Sequence, residues 1–93
     1  DIDAELVDLR EFPLPFFDAP VSPKRELSDD PRVRAWAAKV AEADGFVFVT
    51  PEYNYGYPAV LKNALDSIYY EWNDKPVGLV GYGAVGGGLR AVM

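Results

Sequence analysis

Two short segments of this sequence carry the residue types best suited to binding a planar ligand. The first, residues 51–57, combines three tyrosines with a glutamate and an asparagine. A flat ring with heteroatoms at its edge needs this combination, because it requires an apolar surface and a few polar contacts at its rim. A tyrosine-rich surface turn or a dimer contact explains the same composition equally well.

The second segment, residues 81–88, contains five glycines. Glycines let backbone N–H groups approach a ligand without a Cβ atom in the way, and a helix starting there adds the positive end of its dipole. The spacing Gly81-x-Gly83-x-x-Gly86 also matches the dinucleotide fingerprint. That fingerprint belongs to the first strand–helix turn of a domain, whereas two strands precede this one, so a nicotinamide-dinucleotide domain is disfavoured. Glycines that only form a tight turn are favoured over both uses when the segment is taken alone.

Composition excludes several other chemistries. The chain has no Cys and no His, so disulfides, thiolate nucleophiles, histidine triads and Cys/His metal sites cannot form from these residues, and no metal ligands are predicted. The net charge is −6 with scattered basic residues, which argues against nucleic acid as a partner. No apolar run is long enough for a signal or a membrane span, so a cytoplasmic location is expected.

The elements that must position the two segments follow from hydrophobic spacing. An N-cap among residues 28–30 and Pro31 begin a helix to about Ala43, with apolar positions at Val33, Trp36, Ala37 and Val40. Residues 45–50 are continuously apolar and predict a central parallel strand covered on both faces.

A second helix begins at Pro58, with Leu61, Ala64, Leu65 and Ile68 at helical spacing. Residues 77–80 form another short apolar strand, and a third helix begins within residues 81–88. Such alternation predicts an α/β fold with a parallel sheet. Both candidate segments then lie outside the carboxyl ends of consecutive strands, where open α/β sheets bind ligands.

The N-terminal third is less regular. Residues 4–9 alternate loosely and predict a short strand, followed by a proline-punctuated loop over residues 12–23 whose apolar side chains should pack on the body or on a partner. The large rings of Tyr69, Tyr70 and Trp72 after the second helix favour an oligomer contact, with core packing as the alternative. Residues 1–93 are predicted to form a single domain.

Three blocks in register resemble the NADPH-dependent FMN reductase family. They are DGFVFVTPEYN at residues 44–54, PAVLKNALD at residues 58–66 and GYGAVGG at residues 81–87. The resemblance extends over residues 4–93, weakly before Val33 and strongly from Asp44. Its first strand and phosphate-binding loop would precede Asp1, and a last strand and helix are also missing, so the resemblance implies an incomplete chain.

The resemblance also implies a flavodoxin-like fold with three α/β/α layers and a homodimer or homotetramer. It implies an enzyme that passes electrons from NADPH or NADH through non-covalently bound FMN to a quinone, azo compound, metal oxyanion or free flavin. FMN would carry the chemistry, so no catalytic side chain is predicted. The cofactor-binding residues implied are Pro51, Glu52, Tyr53, Asn54, Tyr57, Gly81, Tyr82, Gly83, Ala84, Gly86 and Gly87. A flavodoxin-like electron carrier or an interaction module without cofactor is the alternative.

Overall fold

The computed structural model describes residues 2–84 and 86–92. Its regular elements are helix α1 (Pro31–Ala41), strand β1 (Phe46–Pro51), helix α2 (Ala59–Asp66), strand β2 (Val77–Tyr82) and helix α3 (Leu89–Val92). Short 3-10 turns cover Leu9–Glu11, Tyr70–Trp72 and Gly86–Gly88. No helix in the described ranges is both long and apolar enough to cross a membrane.

Helix α1 begins where its capping residues predict. The Asp30 carboxylate accepts a hydrogen bond from the Arg32 backbone N–H at 2.8 Å, and Pro31 occupies the first helical turn. Proline is tolerated there because the first N–H groups of a helix have no partner within the helix. The four apolar positions predicted to face the core are all buried: Val33, Trp36, Ala37 and Val40. The helix ends at Ala41, two residues before the predicted end.

The Asp30 cap makes the stability of α1 dependent on pH. Hydrogen bonds from the Arg32 side chain and backbone lower the pKa of Asp30 from 3.8 to about 2. A carboxyl group whose pKa is lowered by folding stabilises the folded state at pH values above its ordinary pKa of 3.8. This stabilisation is lost as the pH falls through about 2. We therefore expect Asp30→Asn, which keeps a capping oxygen but does not titrate, to flatten the acid titration of helicity between these values.

Circular dichroism during acid titration measures this effect. Asp8, whose pKa Arg10 also lowers to about 2, titrates in the same range and stays in both proteins, so only the difference between the two curves reports Asp30. Identical curves for Asp30→Asn and the unchanged protein would contradict the assignment.

The two strands pair in parallel, as predicted. Phe46 lies opposite Val77 and the register continues without interruption to Pro51 opposite Tyr82. Helix α2 lies between the strands in sequence and returns the chain to the starting edge of the sheet. The α/β class with a parallel sheet is therefore confirmed.

Aromatic rings join the helices to one face of the sheet. Trp72 packs against Phe46 and Phe48 with ring centroids 5.0 and 5.8 Å apart, and against Trp36 at 6.0 Å. Its indole N–H donates to the Leu65 carbonyl at 3.1 Å. For Trp72 this supports the core-packing alternative, because its ring is partly buried against the core.

The other face of the sheet is not covered by the described residues. Val47 and Val49 are 69% and 66% exposed, whereas β1 was predicted to be covered on both faces. Covering a face requires an element packed on it, and the core formed by α1, α2 and Trp72 lies against the opposite face. The continuous apolar pattern of β1 thus correctly predicted a strand but not its surroundings.

The strand predicted at residues 4–9 does not form. Those residues are irregular up to the 3-10 turn at Leu9–Glu11, since they pair with neither β1 nor β2. A strand needs a neighbour to receive its backbone hydrogen bonds. Val7 and Leu9 instead pack against the helical core as partly buried side chains.

The proline-punctuated loop packs on the body, as predicted. The Asn63 side chain accepts from the Phe17 N–H at 2.9 Å and donates to the Pro15 carbonyl at 2.9 Å. Asn63 therefore holds the loop against α2 by two hydrogen bonds. Phe12 contributes further, since its ring lies 5.4 Å from that of Trp36.

Candidate functional site

Two loops leave the sheet side by side at the carboxyl ends of β1 and β2. We call residues 51–57 the tyrosine turn and residues 81–88 the glycine turn. Pro51 and Tyr82 are direct partners in the register, and the Glu52 N–H donates to the Tyr82 carbonyl at 2.9 Å. The parallel register therefore brings both turns to one edge of the sheet.

The tyrosine turn contains a tight two-residue reversal. Tyr53 and Gly56 exchange backbone hydrogen bonds of 2.8 and 2.9 Å, and between them Asn54 and Tyr55 have φ angles of +49° and +66°. Two consecutive positive φ values define a type I′ turn. Asn tolerates this conformation, but a tyrosine is strained in it.

That reversal presents two rings to solvent. Tyr53 and Tyr55 are 61% and 71% exposed. Sequence reasoning did not select Tyr55, although the Asn-Tyr-Gly string was a signal for a tight turn with Tyr55 at its tip. Tyr57, by contrast, lies beside α2. There the pKa of the Lys62 amine is raised mainly by its hydrogen bond to Asp66, and Tyr57 makes a smaller contribution.

The glycine turn folds back on its own strand. Gly86, Gly87 and Gly88 all have positive φ values, and Gly88 is buried against the end of β2. A Cβ atom on Gly88 would lie 2.4 Å from the Tyr82 nitrogen and 2.6 Å from the Gly81 carbonyl carbon. Only glycine fits at such a backbone contact. Gly88 was not among the site residues predicted from the sequence. The one feature of the sequence that indicated it is its position as the last of three consecutive glycines.

Helix α3 meets the tyrosine turn through Glu52. The Ala91 N–H donates to Glu52 Oε1 at 3.3 Å. The helix was predicted to offer its dipole and N–H groups to a ligand, but one of these N–H groups already serves the Glu52 carboxylate. The described part of the helix spans Leu89–Val92, and its contribution to ligand binding stays a prediction.

Hydrogen-bond donors remain on both turns. The backbone N–H groups of Asn54, Gly83 and Ala84 make no hydrogen bond to the described residues. The N–H of Glu52 is not among them, because it donates to the Tyr82 carbonyl in the sheet.

The predicted site residues share this edge but not one enclosed cavity. All are exposed or half-buried: Pro51, Glu52, Tyr53, Asn54, Tyr57, Gly81, Tyr82, Gly83, Ala84, Gly86 and Gly87. Two cavities of about 140 and 220 Å³ lie elsewhere, against the proline-punctuated loop. No cluster of three or more acidic side chains within residues 2–84 and 86–92 could hold a metal ion.

Comparison with known proteins gives one family. The profile of NADPH-dependent FMN reductases matches residues 1–93. An NAD(P)H-dependent FMN reductase of Schizosaccharomyces pombe is 52% identical over 90 residues, covering 95% of this chain and 45% of that protein. The NAD(P)H-dependent FMN reductase of Saccharomyces cerevisiae is 42% identical over 90 residues, covering 89% of this chain and 47% of that protein.

A relative that is named for a different activity is also similar. The NADPH:quinone oxidoreductase of Arabidopsis thaliana is 36% identical over 93 residues, covering 97% of this chain and 45% of that protein. The chain thus spans about half the length of the curated relatives it matches. The matched profile and these identities, together with the parallel α/β architecture, show that the chain belongs to the flavodoxin-like NADPH-dependent FMN reductase family.

Proposed function

We propose that this protein is an FMN-dependent NAD(P)H oxidoreductase that transfers electrons from NADPH or NADH to a small acceptor. The observation that carries the proposal is the pairing of Pro51 with Tyr82, which puts a ring-rich turn and a glycine turn at one edge of the sheet. Family membership supports the same activity. Residues 1–93 would contribute to one FMN-binding domain.

The residues at this edge fit the flavin ring. Tyr53 and Tyr82 offer exposed aromatic faces, and the N–H groups of Asn54, Gly83 and Ala84 can donate to ring heteroatoms. Gly87 adds open space, since a Cβ there would meet nothing within 4 Å. Neither turn contains Ser, Thr, Lys or Arg, so the fit concerns the ring and not the phosphate.

Bound FMN would supply the redox chemistry, accepting a hydride from the nicotinamide and passing electrons to the acceptor. The chain's own part is binding and orientation. The tyrosine rings would exclude water from one face of a planar ligand, and the N–H groups of Asn54, Gly83 and Ala84 would stabilise negative charge on its polar rim. We assign a role in proton transfer to none of the described side chains at this edge.

The acceptor, the assembly and the location are further parts of the proposal. A quinone is the favoured acceptor because the Arabidopsis thaliana relative, whose match covers 97% of this chain, is named for quinone reduction. An azo compound, a metal oxyanion or free flavin would be alternatives. A homodimer or homotetramer would use the Tyr69–Tyr70 pair, whose rings lie 5.1 Å apart and of which Tyr70 is 60% exposed. Size-exclusion chromatography and cell fractionation test the assembly and the cytoplasmic location.

An absorbance spectrum of the intact protein before and after NADPH tests the function. We expect a yellow protein that bleaches with the nucleotide under anaerobic conditions and recovers when a quinone is added. A yellow protein that NADPH does not bleach would instead be an electron carrier. A colourless protein that gains nothing from added FMN would be an interaction module, and nicotinamide binding without flavin would point to a dinucleotide domain.

Replacing Asn54 separates its side chain from its backbone role. Because Asn54 has a φ of +49°, Asn54→Gly keeps the turn and loses only the side-chain amide. We expect Asn54→Gly to weaken FMN binding several-fold with little change in stability, since a lost neutral hydrogen bond costs about 1 kcal/mol.

Asn54→Ala is the matched comparison. It loses the same amide and also places a Cβ in the left-handed region, so it should destabilise the turn by about a further 1 kcal/mol. Flavin fluorescence titration and thermal unfolding measure the two effects. Unchanged FMN affinity in both variants would remove the side chain from the site.

A further inference from the structure

Glu52 connects three pieces of the site. Its N–H extends the sheet to the Tyr82 carbonyl at 2.9 Å, while its side-chain oxygen receives the Ala91 N–H of α3 at 3.3 Å. The tyrosine turn, strand β2 and the helix after the glycine turn are thereby joined through one residue.

The stem of the same side chain lies on the glycine turn. A Cβ atom built on Gly83 would be 3.3 Å from the Glu52 Cβ and 3.3 Å from the Gly88 nitrogen. Gly88 in turn touches the backbone of Gly81 and Tyr82. Glu52, Gly83 and Gly88 therefore lie close together where the two turns meet.

We infer that Glu52 is a positioning residue that locks the glycine turn to the tyrosine turn through its side chain. The half-buried carboxylate is directed at the α3 amide, so its role is to hold the two turns at the spacing that one planar ring requires. The flavin part of this inference rests on the proposed function; the lock itself does not.

Three variants of the intact protein test the lock. Glu52→Ala removes the acceptor for the Ala91 N–H, whereas Glu52→Gln keeps a side-chain oxygen at the same reach and loses only the charge. Glu11→Ala, on the exposed 3-10 turn, changes the net charge as much as Glu52→Ala does but lies away from the site.

Hydrogen exchange gives a flavin-independent readout. We expect amide exchange across residues 86–92 to accelerate about tenfold in Glu52→Ala, because the acceptor of the Ala91 N–H is lost. Glu52→Gln and Glu11→Ala should leave it close to the original rate. Unchanged exchange in Glu52→Ala would overturn the lock, whatever the flavin does.

FMN affinity gives the second readout. Titration of flavin fluorescence should show FMN binding weakened about tenfold by Glu52→Ala and restored by Glu52→Gln. If Glu52→Ala and Glu52→Gln weakened FMN binding equally, the positioning role of Glu52 would be overturned, since the effect would come from its charge. An original protein that binds no FMN would contradict the proposed function instead, and the exchange comparison alone would then decide the lock.

Discussion

Gly88→Ala is expected to lower the free energy of unfolding by about 3 kcal/mol or more, because it adds both backbone strain and a steric clash. The φ of Gly88 is +88°, which side chains rarely adopt. The new Cβ would also lie 2.4 Å from the Tyr82 nitrogen, closer than real Cβ contacts allow. Since the clash is with backbone rather than a flexible side chain, the glycine turn must move away from β2. Urea denaturation measures the loss.

Gly87→Ala is the matched control for this prediction. Gly87 also has a positive φ, +60°, but a Cβ there meets nothing within 4 Å. It should therefore cost only the strain, about 1–2 kcal/mol. Equal losses in the two variants would show that Gly88 does not need its close contact with the strand. If FMN binds at this edge, Gly88→Ala should also abolish its retention.

Trp36→Ala is expected to destabilise the protein by about 3–5 kcal/mol, as large-to-small changes of buried aromatic residues do. The Trp36 side chain is central to the core: it is only 6% exposed and its ring lies near those of Phe12 and Trp72. Its indole N–H also donates to the Ala64 carbonyl at 2.9 Å, which ties α1 to α2. The midpoint of urea denaturation reports the change.

Trp36→Phe separates packing from the hydrogen bond. Phenylalanine keeps most of the apolar ring but cannot donate to Ala64, so we expect a smaller loss of about 1–2 kcal/mol. Trp72→Phe is a useful second comparison because Trp72 donates similarly, to Leu65, from a less buried position. If Trp36→Phe were as damaging as Trp36→Ala, the hydrogen bond rather than packing would dominate.

Local signals in the sequence predicted the elements well. Asp30 and Pro31 marked the start of α1, and the 3.6-residue spacing identified its buried positions, because capping and helical periodicity depend only on neighbours along the chain. The sequence likewise predicts the Pro-Glu-Tyr-Asn and glycine segments as loops at the sheet edge, since both follow apolar runs of strand length. Their assignment as cofactor-binding residues stays a prediction.

Other features required the fold. Residues 4–9 have an acceptable strand pattern, but a strand forms only where a partner receives its hydrogen bonds, and these residues pair with neither β1 nor β2. Trp72 looked like a surface ring because it follows the end of α2, yet the 3-10 turn at Tyr70–Trp72 directs it onto Phe46 and Phe48. Sequence spacing alone carries no record of such a change in direction.

The sequence by itself determined which segments become helices or strands and which two turns hold rings and glycines, because these depend on residue type and local spacing. Only the tertiary structure decided that the two turns lie side by side and that the Glu52 side chain reaches the Ala91 N–H. The physical reason is that these groups are far apart in the sequence, and the distance between them is set by the parallel register of Pro51 with Tyr82. That register is a property of the assembled sheet rather than of either strand.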